Sequence, residues 1–466
     1  MNFDEEVNNA PLIRIAVDTF PKVIEKMSHI PATVSTHGNI SYESTDDMCW
    51  IDSPSDKSSS ESSSYPIGVA PANDTLQNVI DNSNFTTNSS VYNNRVCEDN
   101  NAYEMVDSTN DKDTGFKSSN GYDNDNDDDD DDPLNHEIDK WGFFKGDEFH
   151  RAKEVSPGTI ILRDNKEKER EVKWIRMMNK PGAFGYLRKY RGPKLKRRVK
   201  KGIPDSLRSK AWYGLCDIEN TVKNKIPDLD KLDIKSLPSR TVDEIERDID
   251  RTFPRHELFS VRNGQGQTSL RKMLLRYAVV DPEVGYCQGM GFIAGLLLYY
   301  LPEDEAFYVF YSALQNPETN LRLLYFPDMI AAQKKLFVFG KLGQLHLGKL
   351  WEHLENQQIH PTMYATEWIM CMFCRGFSFD LVTRVWDIFL FNGYKIVYRV
   401  ALALIKNAEN EFMSAKFEDI MGIMRNLPTL VDAEELINLS MTIKLTRAQI
   451  TKYEKEYDKE FLVHDI

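Results

Sequence analysis

The most constraining feature of this chain is a helical spacing of apolar residues that continues almost without interruption from Glu167 onward. In successive segments, apolar residues recur three or four positions apart, which is the spacing of one face of an α-helix. The segments are REVKWIRMMN, SLRSKAWYGLC, SLRKMLLRYAVV, AFYVFYSAL and TRVWDIFLF. Few stretches alternate as a strand does. The pattern predicts an all-α domain from about Ile138 to about Phe461.

Turn signals divide this helical pattern into separate helices. They are Gly202 with Pro204, Asp281-Pro282, Pro302, Pro361, Asn392-Gly393 and Pro428. In the segment IERDIDRTFPRHELF, the spacing of Ile245 and Ile249 predicts an amphipathic helix that ends before Pro254. A proline disfavours helical geometry in the residue before it. We therefore expect Arg251 in the last turn of this helix, with Phe253-Pro254 stopping it.

Charge is distributed unevenly along the 466 residues, whose net charge is -14. Residues 1–139 carry a net charge of about -22, which leaves about +8 for the remainder. The stretch Ser35 to Asp132 is rich in Ser, Asn and Asp and ends in the acidic run Asp127 to Asp132. Such a composition buries too little apolar surface to offset its chain entropy. It predicts a disordered acidic tail. A solvating linker is the simplest interpretation of the run, and weak calcium binding or the shielding of a basic partner are the alternatives.

These features predict four regions. Residues 1–137 form the disordered tail, and residues 138–200 a lead-in segment, with the aromatic cluster IDKWGFFKG, that packs on the domain. Residues 201–410 form the central helical domain, and residues 411–466 the C-terminal helices that complete it. The six cysteines are scattered, residues 1–10 lack a secretory signal, and the longest apolar run, Met290 to Leu301, is too short for a membrane span. We expect a soluble intracellular protein.

Several familiar functional sites are not supported. No GxxxxGK[ST] loop, GxSxG elbow or HExxH pair occurs, and the nine histidines have no metal spacing. Cys371 and Cys374 form a CxxC, but without two further ligands we interpret them as core cysteines on a buried helix rather than a zinc site. The basic run Lys194 to Pro204 leaves nuclear import or nucleic-acid binding as alternatives to a solvated basic face. It lacks the aromatic residues that nucleic-acid surfaces interleave with charge, so we expect no nucleic-acid partner.

Three motifs remain, and they occur in a fixed order. The first is GxPxxxRxxxW, the second is IxxDxxR followed by Thr-Phe-Pro, and the third is YCQ, which leads into a glycine-containing apolar helix. Their positions are Gly202, Pro204, Arg208 and Trp212; Ile245, Asp248 and Arg251; and Tyr286 and Gln288. Together they resemble the TBC-domain family of Rab GTPase-activating proteins. The resemblance continues through residues 366–393 and covers roughly residues 138–461, but not the tail.

The resemblance implies an all-helical TBC fold of two subdomains, with the functional residues near their shared groove. It also implies that the chain stimulates GTP hydrolysis by a Rab GTPase in its GTP-bound state. Arg251 would be an arginine finger and Gln288 a glutamine finger, both supplied in trans. Asp248 would hold the Arg251 guanidinium, and Tyr286 would position the partner or the loop. Arg208 and Trp212 would be scaffold residues.

By the same resemblance, the chain has no cofactor of its own, because GTP and magnesium belong to the partner. No metal site is expected. We expect a cytoplasmic location and leave recruitment to membranes open. A catalytically inactive TBC-like scaffold is the alternative. The retention of both Arg251 and Gln288 speaks against it.

Overall fold

The computed structural model describes residues 137–146, 156–179, 184–185 and 192–462. Nearly all of the predicted tail, including the acidic run and the two cysteines at positions 49 and 97, lies outside these residues, as does part of the predicted lead-in. Within them the secondary structure is helical, and extended backbone pairs only as two isolated bridges, Ile138 with Phe144 and Phe143 with His256. The all-α fold is therefore confirmed.

The α-helices follow one another through connections of varied length. In chain order they are α1 (Pro157–Met178), α2 (Gly192–Lys201), α3 (Arg208–Leu215), α4 (Ile218–Thr221), α5 (Ser239–Ile249), α6 (Gln265–Val280), α7 (Met290–Tyr300), α8 (Glu303–Gln315), α9 (Ile330–Leu347), α10 (Lys349–Asn356), α11 (Ala365–Met370), α12 (Phe379–Asn392), α13 (Lys395–Asn407), α14 (Glu409–Ser414), α15 (Phe417–Leu430), α16 (Ala433–Thr442) and α17 (Arg447–Tyr457). Short 3₁₀ turns lie between some of them.

Local sequence accounts for several helix ends. The Ser156 side chain accepts a hydrogen bond from the Thr159 N–H at the start of α1, and Thr446 with Gln449 forms a capping box at the start of α17. The turn expected at Pro428 is wrong, because Pro428 lies inside α15, two residues before its end. A proline lacks one backbone donor, and in the final turn this leaves a single carbonyl without its helical partner.

The apolar run singled out in the sequence forms α7. Ten of its eleven residues are buried, so it is a core helix with neighbours on all sides. No helix in the described part of the chain is both long and apolar enough to cross a membrane.

The helices pack in two groups that share one apolar core. In the first group, α5, α6, α7 and α8 pack on one another. In the second, α9 packs on α13 and α17, and α13 on α16. Helix α12 connects the groups, because it contacts α13 and α16 of the second group and also α3, which packs on α8 of the first.

A buried carboxylate on α12 accepts hydrogen bonds from residues of the first motif. Asp387 is fully buried; its Oδ1 accepts hydrogen bonds from Arg208 Nε (3.1 Å) and Trp212 Nε1 (2.9 Å). Its Oδ2 accepts one from the Ile203 N–H (3.2 Å). Arg208 also donates to the Tyr300 hydroxyl (3.0 Å), at the C-terminal end of α7. Burial opposes the Arg208 charge, but the interactions with Tyr300, Asp387 and Asp205 outweigh it and raise the pKa of the guanidinium.

Asp387→Asn tests this interaction. The change retains the shape of the side chain but removes the buried anion of Arg208, which is left with the exposed Asp205, and the anion that faces the half-buried Arg384. Removing one partner of a buried ion pair costs about 3–5 kcal/mol, and we expect a loss of that size in the free energy of unfolding, measured by urea titration. Arg240→Ala is the control, because its pair with Glu244 is exposed and worth about 1 kcal/mol or less. Equal stability of the two variants would contradict the assignment.

Candidate functional site

Helix α5 and the turn after it contain the second motif. Ile245 and Ile249 are buried on one face of the helix, and Asp248 is also fully buried. We had expected Arg251 in the last turn of the helix. The helix ends at Ile249, however, so Arg251 lies in the turn that follows. Local packing ends the helix five residues before Pro254: the Thr252 hydroxyl donates to the Asp248 carbonyl (2.7 Å) and the Thr252 N–H to the Ile249 carbonyl (3.2 Å).

The Arg251 side chain is held at one point and is otherwise accessible. Its Nε donates to Asp248 Oδ1. The side chain is 41 % exposed, whereas Asp248 is 0 % exposed. Within the part of the chain described here, Nε alone of its guanidinium nitrogens forms a hydrogen bond. The terminal nitrogens of a planar, always charged group are thus available for an acceptor outside the chain.

The third motif forms a tight turn before α7. Gly285 (φ +59°) and Gly289 (φ +101°) both have left-handed backbone conformations, which favour glycine. The Gly289 N–H donates to Asp248 Oδ2 (3.2 Å), and the Tyr286 hydroxyl donates to the same oxygen. Gln288 is partly exposed, and its side-chain amide forms no hydrogen bond with the residues that the structure describes. Its amide is therefore not used to cap the local backbone.

Asp248 thus joins the two candidate fingers. One carboxylate oxygen accepts from Arg251, and the other accepts from the residues on either side of Gln288 within its turn. Burial, and then the Asp248 charge, raise the pKa of Tyr286 well above its ordinary value, so the phenol remains a donor. Burial, followed by the charges of Asp248 and Glu244, raises the pKa of Cys287 to about 12. A thiol with this pKa is neutral near pH 7 and is a poor nucleophile.

Two glycines of α7 let the arginine loop approach closely. A Cβ atom added at Gly291 would lie 2.7 Å from Thr252 Oγ1, and one added at Gly295 would lie 2.9 Å from the Phe253 ring. Phe253 itself has a φ of +50°, which is rare for a bulky residue. Its fully buried ring packs edge-on against Phe292 at 5.3 Å and Phe379 at 5.4 Å between centroids. This packing holds the turn that carries Arg251 against α7.

The aromatic lead-in supports the same loop from the other side. The Phe144 N–H donates to the Arg255 carbonyl (2.9 Å), and the Glu257 N–H donates to the Gly142 carbonyl (2.8 Å). The Phe143 ring lies 5.9 Å from that of Phe253. The arginine loop is therefore enclosed between the lead-in and α7.

The two cysteines of the CxxC are buried, but they do not lie on a helix. Helix α11 ends at Met370, and Cys371 and Cys374 belong to the turn after it, in which Met372 (φ +50°) and Phe373 (φ +63°) are left-handed. The helical placement was wrong because apolar spacing does not distinguish a buried turn from a buried helix. Cys371 Sγ would lie 3.0 Å from a Cβ added at Gly289, so this turn packs closely against the backbone next to Gln288. No cluster of three or more metal-ligating side chains occurs among the described residues.

The neighbouring arginines have other environments. Arg247 Nε donates to the Asp243 carbonyl (3.0 Å) of its own helix, and Arg255 is exposed in the segment that pairs with the lead-in. The structure therefore brings together Arg251, Asp248, Tyr286 and the Gln288 turn. Arg208 and Trp212 lie instead around Asp387, at the opposite end of α7.

Sequence reasoning did not identify Asp387 as a partner of the first motif. The signal was a lone acid in the otherwise apolar segment VWDIFLF, because a buried carboxylate requires hydrogen-bond donors nearby. The sharing of Asp248 between the two loops was also missed. Both interactions join residues far apart in the chain.

Comparisons with known proteins identify a domain in this chain. A family model described as the Rab-GTPase-TBC domain matches residues 205–413. The human ecotropic viral integration site 5 protein homolog is 34 % identical over 62 % of this chain and 35 % of its own length. Mouse TBC1 domain family member 10A is 33 % identical over 68 % of this chain and 62 % of its own. The chain spans 35–39 % of the length of the first three curated relatives.

A solved structure also shares the fold. The Chlamydomonas flagellar RabGAP TBC domain superposes with a TM-score of 0.52, at 24 % identity, over 66 % of this chain and 98 % of that one. At this identity the likeness supports the fold alone. The family model and the curated relatives show that residues 205–413 are a domain of the Rab-GTPase-TBC family.

Proposed function

We propose that this chain accelerates GTP hydrolysis by a Rab GTPase in its GTP-bound state, with Arg251 and Gln288 inserted into the partner's active site. The observation that carries the proposal is the buried Asp248 carboxylate, which holds Arg251 through Nε and holds the Gln288 turn through Tyr286 and Gly289. A single anion thereby sets the position of two partly exposed polar side chains. The match to the Rab-GTPase-TBC domain supports a Rab GTPase as the partner.

Arg251 supplies positive charge where the reaction develops negative charge. In GTP hydrolysis, charge spreads over the oxygens of the transferring phosphoryl group, and an arginine supplied in trans accelerates the reaction about 10³- to 10⁵-fold. This corresponds to a barrier lowered by roughly 4–7 kcal/mol. Because Asp248 already orients the guanidinium through Nε, less side-chain entropy is lost when the terminal nitrogens contact the phosphate.

Gln288 orients the attacking water. An amide side chain can donate to and accept from a water at the same time, which suits a water in line with the phosphoryl group. The left-handed Gly289 starts α7 directly after Gln288, and its N–H is fixed on Asp248. The backbone of Gln288 is consequently well placed, while its amide remains available to the partner.

The remaining components come from the partner. GTP and Mg²⁺ belong to the GTPase, and the chain contributes side chains without a cofactor of its own. With a Rab GTPase as the partner, we expect the activity to belong to vesicle trafficking and to occur in the cytoplasm.

The first prediction concerns the two fingers. In single-turnover GTP hydrolysis with a panel of Rab proteins, we expect Arg251→Ala to lower the stimulated rate by about 10³-fold or more. Gln288→Ala should abolish most of the stimulation too, because the water loses its orienting group. Arg251→Lys should recover little, since an ammonium lacks the planar guanidinium fork. Arg247→Ala, an exposed arginine one turn earlier, is the matched control and should retain full activity.

A negative result in the same assay has a defined meaning. If no Rab in a wide panel responds to the wild-type chain, but GTP-loaded Rabs still bind it, the chain is a non-catalytic scaffold. Loss of activity in Arg247→Ala but not in Arg251→Ala would reassign the finger.

The second prediction tests the shared anchor. Asp248→Asn removes the charge that both loops use, and we expect kcat to fall about 10²-fold or more. A double-mutant cycle with Gln288→Ala distinguishes positioning from a general loss of fold. If Asp248 acts through Gln288, then Asp248→Asn costs less in the Gln288→Ala background than in the wild type. If the losses in kcat are strictly additive on a free-energy scale and KM is unchanged in all variants, Asp248 is not a shared anchor.

The third prediction tests the close approach of α7. In Gly291→Ala the new Cβ would overlap Thr252 Oγ1 at 2.7 Å, so the arginine loop must shift. We expect kcat/KM to fall at least tenfold, as displacements of about 1 Å commonly cost this much or more. Gly422→Ala is the control, because nothing lies within 4 Å of its added Cβ. It should retain activity and the melting temperature.

A further inference from the structure

Helix α2 presents a concentration of positive charge that the proposed function does not use. Six of its ten residues are lysine or arginine, while Leu195 and Val199 are buried and fasten it to the core. Lys194, Arg197 and Lys201 are exposed, and none forms an ion pair with a carboxylate in the described residues. We call these three residues the α2 basic face.

The electrostatics of this helix are unfavourable without an anion. Partial burial, and then the neighbouring charge of Arg197, lower the pKa of the Arg198 guanidinium. Arg198 donates to the Lys173 backbone carbonyl rather than to a carboxylate. Like charges this close repel one another, and an anionic partner removes that cost.

We propose that the α2 basic face is the docking site for the acidic tract of the same chain, residues 121–132, which contains eight aspartates. Charge complementarity is the first support. The second is connectivity, since the tract lies just before Glu137, the first described residue, and that residue is attached to the domain near α2.

The attachment runs through α12. The Glu137 carbonyl accepts from the Lys145 N–H (2.7 Å), and Lys140 Nζ forms an ion pair with Asp380 (2.6 Å) in the first turn of α12. One turn later on the same helix, about 6 Å along its axis, Arg384 Nη2 donates to the carbonyl of Lys200 in α2 (2.8 Å). The chain therefore enters the domain beside the C-terminal end of α2.

The reach of the tract is sufficient. Asp132 precedes Glu137 by five residues, which span up to about 17 Å when extended. The ten residues from Asp123 to Asp132 span up to about 33 Å, whereas the ten-residue α2 is about 15 Å long. The aspartates can thus cover all three basic residues of the face. Such docking screens the face from other anionic surfaces until salt or a stronger anion displaces the tract.

The direct test is zero-length cross-linking of the full chain with a carbodiimide, which joins carboxylates to lysine amines in contact. At about 20 mM salt we expect links from Asp123–Asp132 to Lys194 or Lys201 in the monomer, and their loss at about 500 mM, where the Debye length falls to roughly 4 Å. Lys235, exposed and outside α2, is the internal control. Links to Lys235 equal in number to those to α2 overturn the proposal.

A binding measurement tests the same site independently. The probe is a labelled peptide with the sequence of residues 121–132, added to the wild-type chain and to a variant with all six residues Asp127–Asp132 changed to Asn. For a peptide affinity near 0.1 mM and a tether concentration in the millimolar range, the covered wild-type face should bind about tenfold more weakly. A third variant, Lys194→Gln with Arg197→Gln and Lys201→Gln, should not bind, and its exposed substitutions leave the fold intact.

Two results would overturn the proposal. Equal peptide affinity for the wild-type and tail-neutralised chains overturns the proposal. So does equal binding of both chains to phosphatidylserine vesicles that is lost in the α2 variant, because the face then serves a membrane and the tract does not compete for it.

Discussion

A buried aspartate with donors on both of its oxygens is the interaction on which the candidate site depends. Asp248 is excluded from water, and such a carboxylate is stable only when its lone pairs are occupied. Its partners come from two segments: Arg251 follows on the same chain segment, whereas Tyr286 and Gly289 precede α7. The need to satisfy one charge therefore fixes two loops relative to each other. In the proposed reaction this is the property required, because the arginine and the glutamine must act together on one phosphoryl group.

The surrounding packing maintains that arrangement. Phe253 adopts a left-handed conformation at a cost of about 1–2 kcal/mol. Its ring lies in an aromatic cluster with Phe292, Phe379 and, from the lead-in, Phe143. Burial of these rings offsets the backbone strain and determines where the turn after α5 is directed. Helix α7 is held at both ends, through Gly289 on Asp248 and through Tyr300 on Arg208. Asp387 in turn holds Arg208 and Trp212, so the first motif supports the site through α7 without approaching it.

The sequence predicted the features that depend on neighbours along the chain. The helical spacing identified the helices, and most turn signals coincide with their ends. Errors arose where tertiary contacts override local preference. Pro428 lies within α15, α5 ends before Arg251, and the CxxC lies in a turn. In each case the apolar spacing or a proline predicted where a helix would end or continue, but tertiary contacts determined the actual backbone conformation.

By itself, the sequence determined the all-helical class and the order of the three motifs that relate the chain to the TBC-domain family. It also determined the separation of a strongly acidic segment from a basic body. These properties follow from composition and from spacing within about one or two helical turns. Only the tertiary structure decided that one carboxylate serves both Arg251 and the turn of Gln288, and that Arg208 acts on Asp387. Those partners lie 41 and 179 residues apart, and a hydrogen bond over such a distance in sequence exists only because the helices between them pack in one particular way.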